Sequence, residues 1–156
     1  MHGNATKDGR TGTTLTYNVL NLPDTAKRSG LNMSYVYTAD GSKLRKQGGF
    51  DGNRDYVDGI EYSNTGIELI RTEEGIARRS GSSYNYEYNL TDHLGNVRYS
   101  FMKDANTGQP SRLQSDDYYA FGMRKSNAPV SLNNKYLYNG KELQDELGQY
   151  DYGARF

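Results

Sequence analysis

His93 and Asp92 are the neighbouring residues whose types could most readily support acid–base chemistry. His93 is one of only two histidines in the 156-residue chain, and a histidine acts as a general base only when a reacting group lies within reach. Residues 92–95 read Asp-His-Leu-Gly, which is typical of a turn whose aspartate accepts hydrogen bonds from backbone N–H groups. We therefore predict a structural role for both residues, with the His93 ring bonded to backbone or to a carboxylate.

Two further groups of oxygen-bearing side chains resemble known kinds of site. Asp104 and Asn106 alternate like the first ligands of a calcium loop, but Ser115 stands where such a loop needs its bidentate glutamate. Asp116 and Asp117 are adjacent, and adjacent residues of a strand point to opposite faces. We therefore predict a plain hairpin turn at Asp104, solvated carboxylates at the aspartate pair, and neither a metal site nor a catalytic site.

The composition limits the class of protein. Hydrophobic residues make up 34% of the chain, lysine plus arginine equal aspartate plus glutamate at 19 each, and cysteine is absent. The balanced charge gives no indication of nucleic-acid binding, and the absence of cysteine excludes disulfides and thiolate metal ligands. Residues 1–12 are polar and no long apolar run follows, so we predict no signal peptide and no membrane span within the chain. No cofactor is predicted.

Fifteen tyrosines and eighteen glycines favour strands joined by tight turns. Residues 84–90 alternate most regularly, and this period of two places Tyr84, Tyr86 and Tyr88 on one face. After the turn that begins at Asp92, residues 97–101 are predicted to return antiparallel to that strand. Asp-Gly pairs at residues 40–41 and 58–59 predict two more hairpins. The tyrosine face is interpreted as sheet packing, with sugar or peptide binding as the alternative.

The remaining elements follow from weaker patterns. We predict a strand over residues 15–20, a short edge strand over 75–79, a loop over 125–134, and a strand over 136–138. Residues 141–147 are predicted to form one or two helical turns that end at Gly148. The expected fold class is all-β: a curved antiparallel sheet of hairpin repeats with little helix. The strand at 15–20 is expected to leave an open edge through which the chain self-associates.

Three ordered motifs carry a family resemblance. They are TDHLGNVR at residues 91–98, DYYAFG at 117–122, and YNGKELQDELG followed by YDYGARF at 138–148 and 150–156. Together they resemble the RHS repeat-associated core, in a form like that of Bacteroidetes members, and residues 14–83 resemble degenerate YD repeats. The resemblance divides the chain into a polar tail at 1–13, repeat hairpins at 14–83 and a truncated core at 84–156.

The resemblance implies a β-rich shell fragment without catalytic activity. In the family, such shells enclose and help deliver a C-terminal polymorphic toxin in bacterial competition, so the expected partners are the rest of the shell and a toxin domain. Secretion or cell-surface exposure is implied in the same way. Two alternatives stay open: a carbohydrate- or peptide-binding β-module, and part of an autoproteolytic core whose Asp-Pro cleavage motif lies beyond Phe156.

The residues that carry the resemblance are predicted to form a structural motif rather than an active site. They are Asp92, His93, Leu94, Gly95, Asn96, Val97, Arg98, Tyr138, Gly140, Tyr150, Tyr152 and Arg155.

Overall fold

The computed structural model describes residues 4–126 and 134–153, and this part of the chain consists of short strands and tight turns. Its strands are β1 (Thr14–Tyr17), β2 (Pro23–Arg28), β3 (Leu31–Tyr37), β4 (Lys43–Gly48), β5 (Arg54–Val57), β6 (Ile60–Ser63), β7 (Gly66–Arg71), β8 (Gly75–Ser80), β9 (Ser83–Thr91), β10 (Val97–Lys103), β11 (Pro110–Tyr118), β12 (Arg124–Ser126), β13 (Glu142–Gln144) and β14 (Gln149–Asp151). Two single 3-10 turns span Ala120–Gly122 and Tyr138–Gly140. The described residues contain no α-helix.

Strands β1 to β12 follow one another in chain order within one antiparallel sheet, and β13 pairs with β14 in a second, two-stranded sheet. The predicted all-β antiparallel fold class is therefore confirmed. Tyrosine, valine and threonine favour the pleated backbone, while the glycines supply turn conformations with positive φ. Asp58 and Gly59 illustrate this at the β5–β6 hairpin, where both have positive φ (48° and 81°) as a two-residue turn of the primed type requires.

The chain divides into two compact units. One contains Met1–Ile67 and Gln144–Phe156, and the other contains Glu68–Leu143. The first unit has an apolar core in which Leu15, Ala26 and Met33 are direct cross-strand partners and therefore lie on one face of the sheet. The buried members of this core are Leu15, Ala26, Leu31, Met33, Tyr35 and Leu147.

The second unit buries polar side chains on one face of its strands. Asn89 of β9 lies opposite Ser100 of β10, which lies opposite Gln114 of β11. Ser100 and Gln114 are each only 1% exposed. Glu87, also on this face of β9, is buried and forms an ion pair with Arg78 of β8 at 2.6 Å.

Several predicted strands are confirmed with shifted limits. Of the predicted strand at 15–20, only residues 15–17 lie in a strand, β1. The backbone carbonyl of Thr6, earlier in the chain, accepts a hydrogen bond from the Leu15 N–H at 2.9 Å. Lys7 forms an antiparallel bridge with Thr14. The outer edge of β1 is thus partly covered rather than open, because the polar residues before it fold back along it. Residues 75–79 form a strand, β8, but it lies between β7 and β9 instead of at an edge.

Two local predictions are wrong. Residues 136–138 form no strand: Tyr136 makes an isolated bridge with Glu142, and the chain reverses at Asn139, which has a φ of 51°. The predicted helix at 141–147 is instead β13 followed by a turn, in which the N–H groups of Leu147 and Gly148 both donate to the Gln144 carbonyl. Of the predicted loop at 125–134, residues 125–126 belong to β12 and residues 127–133 lie outside the described residues.

Candidate functional site

The 92–96 turn, which joins β9 to β10, is closed by the side chain of Asp92. Its Oδ1 accepts hydrogen bonds from the backbone N–H groups of Leu94 and Asn96, each at 3.0 Å. Its Oδ2 accepts from the Asn96 side-chain amide at 2.9 Å. These hydrogen bonds, led by that of the Asn96 side chain, lower the pKa of Asp92 from its ordinary value of 3.8. The carboxylate is therefore used to hold the backbone of the turn, as predicted.

His93 and Leu94 lie at the exposed tip of this turn. Leu94 is 59% exposed, and the charge of His93 contributes to the lowered pKa of Asp92. Gly95 has a φ of 79°, a conformation that residues with a Cβ rarely adopt. Among the described residues, no group of three or more histidine, cysteine or acidic side chains could hold a metal ion.

Asn96 connects the turn to the Tyr138–Gly140 turn within the same unit. Asn96 is 4% exposed, and its Oδ1 accepts a hydrogen bond from the Asn139 N–H at 2.9 Å. Next to it, the buried Val97 donates its N–H to the Leu137 carbonyl at 3.0 Å. The first motif is thus joined to the beginning of the third by one hydrogen bond to the Asn96 side chain and one between backbone groups, which the sequence alone did not indicate.

The second motif packs against the same place through Tyr118, one of its three aromatic residues. The Tyr118 hydroxyl donates to the Val97 carbonyl at 2.7 Å, and its ring centroid lies 5.6 Å from that of Tyr138. Gly122 lies against the Tyr138 ring, so closely that an added Cβ would lie 2.7 Å from a ring carbon. Three motifs separated in the sequence therefore meet at one cluster, and glycine is required there to allow the contact.

Arg98 and Gly140 complete the predicted motif in this unit. Arg98 forms an ion pair with Asp117, and its guanidinium lies 5.9 Å from the Tyr118 ring centroid. Both members of the pair remain over two-fifths exposed (41% and 48%), so solvent screens the attraction and its contribution to stability is small. Gly140 ends its turn with a φ of 64°.

The carboxyl-terminal part of the third motif belongs to the first unit. Glu146 is buried there, and its Oε1 accepts from the Lys46 ammonium at 3.0 Å and from the Phe50 N–H at 3.1 Å. Its backbone carbonyl accepts from the Arg28 guanidinium at 3.1 Å. Sequence reasoning did not identify this cluster, because nothing in the local pattern pairs Glu146 with residues about a hundred positions earlier.

Tyr150 and Tyr152 flank a second ionic contact in this unit. Asp151 forms an ion pair with Lys43 at 2.6 Å, and the Lys43 ammonium lies 4.4 Å from the Tyr56 ring centroid. Tyr150 is half-buried and Tyr152 is 43% exposed. Burial, with the nearby Asp151 carboxylate, strongly raises the pKa of the Tyr37 hydroxyl. Arg155 lies outside the described residues.

The aspartates at 104, 116 and 117 have different environments. Asp104 Oδ1 accepts from the N–H groups of Asn106 and Thr107, as expected of a hairpin turn. Asp117 is half-exposed, whereas Asp116 is 2% exposed and accepts from Gln114 and Arg124. The prediction of a solvated Asp116 is therefore wrong. The two carboxylates do point to opposite faces, but one of those faces is buried.

Tyr84, Tyr86 and Tyr88 lie on one face of β9, as predicted, and they are 37%, 58% and 40% exposed. The Tyr88 ring stacks on Phe101 of β10 with centroids 5.5 Å apart. Asn89, which points to the opposite face, accepts at its Oδ1 from the Ser100 hydroxyl at 2.7 Å. In β9, then, the aromatic face is the accessible one and the polar face is the more buried one.

Comparison with solved structures gives the clearest relation to known proteins. A crystal structure of TcdB2-TccC3 without its hypervariable C-terminal region matches 98% of this chain with a TM-score of 0.72 at 17% sequence identity. The crystal structure of TcdB2-TccC3-Cdc42 matches 98% with a TM-score of 0.72 at 18% identity. The Tc holotoxin pore of Photorhabdus luminescens, with TccC3 carrying the substitution D651A, matches 97% with a TM-score of 0.69 at 17% identity.

The fold of this chain is RHS-like. The likeness extends along nearly the whole chain, while identities below a fifth make it a likeness of fold alone. The chain spans less than a tenth of the length of these neighbours, at 8% to 9%. No protein-family model matches the sequence, and no curated protein matches it. Among the described residues, no helix is long and apolar enough to cross a membrane.

Proposed function

We propose that this chain is a non-enzymatic segment of a β-shell, of the kind that encloses and helps deliver a C-terminal toxin in bacterial competition. The observation that carries the proposal is the fold match, which covers 98% of this chain but only 9% of a TcdB2-TccC3 structure. A chain whose fold matches one stretch of a much longer protein is best explained as one segment of the β-shell of such a protein. Its partners are then the remaining shell and the enclosed toxin domain, outside the producing cell.

The environment of the motif residues supports a structural role. The carboxylate of Asp92 accepts three hydrogen bonds within its own turn, and the Asn96 amide oxygen accepts one from Asn139. A general base needs a lone pair directed at a reacting group, whereas these oxygens are directed at the chain itself. The Asn96–Asn139 bond fastens the β9–β10 hairpin to the Tyr138–Gly140 turn, as a shell segment requires.

The test is to isolate the native polypeptide with an antibody against residues 84–101, determine its mass, and image it by electron microscopy. We expect a product several times heavier than the 17.6 kDa of this chain, in the form of a hollow particle. A native 17.6 kDa product that enters no larger particle would contradict the proposal.

A second candidate function is carbohydrate or peptide binding through the accessible tyrosines of β9. It is favoured by Tyr86, which is 58% exposed between Tyr84 and Tyr88, since aromatic faces stack on sugars and apolar side chains. Glycan and peptide arrays probed with the chain and with Tyr86→Ala test it. Asn85→Ala, an exposed change on the other face, is the control. Binding that disappears only with Tyr86→Ala would favour this function over the shell segment.

A further inference from the structure

The Arg28 guanidinium, at the end of β2 in the first unit, is held in place without an acidic partner. It is half-buried, and its Nη2 donates to the Glu146 carbonyl at 3.1 Å. A guanidinium carries five N–H donors, so most of them remain available. In the part of the chain that the structure describes, Arg28 forms no ion pair.

The carboxylate that belongs to the same cluster is already engaged. Glu146 Oε1 accepts from Lys46 at 3.0 Å and from the Phe50 N–H at 3.1 Å, and the Lys46–Glu146 pair is almost completely buried (2% and 1% exposed). The charges of Lys46 and Glu146 therefore neutralise each other, and the positive charge of Arg28 beside them has no counter-ion among the described residues. A positive charge that is half-desolvated gains most from a charged acceptor.

An open cleft of about 650 Å³ lies against Arg28. This volume is within the usual range for small-ligand sites, roughly 300 to 1,000 Å³. Phe50 forms one flank, and its side chain is 69% exposed although its backbone is fixed by Glu146. The other lining side chains are Thr11, Ser29 and Leu31.

We propose that this cleft binds a carboxylate that carries a neighbouring apolar group. The guanidinium of Arg28 receives the carboxylate in its planar fork, and the Phe50 ring packs against the apolar group. A monoanion suits the site better than a phosphate, because Arg28 is the one cation among the described residues that line the cleft. Arg10 lies near Asp8 at 3.9 Å and donates to the Leu147 carbonyl. The carboxylate belongs either to a small free acid or to an acidic side chain of a peptide.

The probe is 3-phenylpropionate, and its uncharged isostere 3-phenylpropionamide is the matched ligand control. Each is titrated into the ¹⁵N-labelled chain while backbone amide shifts are followed by NMR. We expect saturable shifts at Ser29, Gly30 and Phe50 with the acid, and binding at least about tenfold weaker with the amide, since the uncharged amide cannot form the charge-assisted hydrogen bonds of the carboxylate. Equal binding of the two probes, or no saturable shift at these residues, would overturn the proposal.

Three substitutions test where the site lies. Arg28→Gln removes the charge, and Lys27→Gln removes the same charge from the exposed neighbouring residue. We expect about a tenfold loss of affinity for Arg28→Gln and no change for Lys27→Gln. Phe50→Ala, which changes an exposed side chain, keeps the test valid if Arg28→Gln alters the fold, and it should weaken the acid and the amide alike. Unchanged affinity in Phe50→Ala would contradict the assigned site.

The two sources of the carboxylate are separated by a further pair of probes. One is a capped tetrapeptide that contains phenylalanine followed by glutamate, and the other is the same peptide with glutamine. Tighter binding of the glutamate peptide than of 3-phenylpropionate assigns the cleft to a peptide side chain. The reverse order assigns it to a small free acid, and both results support the carboxylate site.

Discussion

The two units each contain a buried face of the sheet, and different kinds of side chain dominate the two faces. In the first unit the buried face contains an apolar cluster in which Leu15, Ala26 and Met33 are 6%, 0% and 1% exposed. In the second unit, strand β11 buries the polar side chains of Gln114 and Asp116, which are 1% and 2% exposed. Among its described residues the first unit also buries two ion pairs, Lys46–Glu146 and Arg54–Glu61, beside its apolar cluster. On the face of β9 to β11, by contrast, hydrogen bonds and ion pairs join the buried side chains themselves.

This difference shows how a chain with 34% hydrophobic residues forms an ordered sheet. When one side chain of an apolar cluster is shortened, the free energy of unfolding falls gradually, because neighbouring side chains partly relax into the space. A buried charge, by contrast, is tolerated only with its partner, since each ion loses its water on burial. The buried polar face of the second unit should therefore be more sensitive to the loss of one polar atom, and the apolar cluster of the first unit to the loss of volume.

The largest expected effect is that of Asp116→Ala in the second unit. Asp116 accepts from Gln114 at 2.6 Å and forms an ion pair with Arg124, and its side chain is fully buried. Its removal leaves a buried amide and a largely buried guanidinium without their acceptor, which should cost about 3–5 kcal/mol of unfolding free energy. Urea denaturation followed by circular dichroism measures the loss. Asp117→Ala, on the exposed face, is the control and should cost less than about 1 kcal/mol.

A conservative change sharpens the comparison at the same site. Asp116→Asn keeps the shape but removes the charge, so Arg124 still loses its counter-ion. If Asp116→Asn and Asp116→Ala were both as mild as Asp117→Ala, the second unit would not depend on polar pairing.

The next effect is that of Met33→Ala in the first unit. Met33 is 1% exposed within the apolar cluster, and truncation of a buried methionine costs about 2–5 kcal/mol through lost contacts and a cavity. Met33→Leu conserves volume and should cost less than about 1.5 kcal/mol, in contrast with Asp116→Asn. Val36→Ala, at a residue of β3 that is 44% exposed, is the surface control. An equal loss for Met33→Ala and Val36→Ala would contradict an apolar core here.

The strands and hairpins could be predicted because their signals are local. Alternating tyrosines predicted β9, and an Asp-Gly pair predicted the β5–β6 turn. The prediction of a helix at 141–147 is wrong: Glu142 to Gln144 form the strand β13. Glu146, after this strand, is held instead by its buried contact with Lys46. Tertiary contacts of this kind override a helix propensity of a few tenths of a kcal/mol per residue.

The buried polar face could not be predicted, because it depends on register. Alternation alone indicates that the tyrosines share a face but not which face is accessible. Glu87 is buried against Arg78 only because the β8–β9 register places Ile76, two residues before Arg78, opposite Glu87. In the same way, the Asn96–Asn139 contact joins two turns that are distant in sequence.

A moderate effect is expected for Gly95→Val in the 92–96 turn. Gly95 has a φ of 79°, and an added Cβ would meet nothing within 4 Å. The cost is therefore backbone strain rather than crowding, of order 1–3 kcal/mol. His93→Ala should lose less, because its side chain is exposed at the turn. Thermal melts of both variants, with processing and toxicity assays in the intact parent protein, check this. Abolished processing in His93→Ala with an unchanged melt would make His93 a catalytic candidate.

The smallest effect is a pH dependence that originates at Asp92. Hydrogen bonds from the Asn96 side chain and from the Leu94 and Asn96 N–H groups lower the folded-state pKa of this carboxyl below its ordinary value of 3.8. The folded state therefore binds this proton less readily than the unfolded state does, so the stabilisation is fully present above the unfolded pKa and is lost as the pH falls through the folded pKa. The stability difference between the chain and Asp92→Asn should stay constant from pH 7 to about pH 5 and shrink below about pH 4. Urea denaturation across this range measures it, and a stability difference that stays the same below about pH 4 would contradict the prediction.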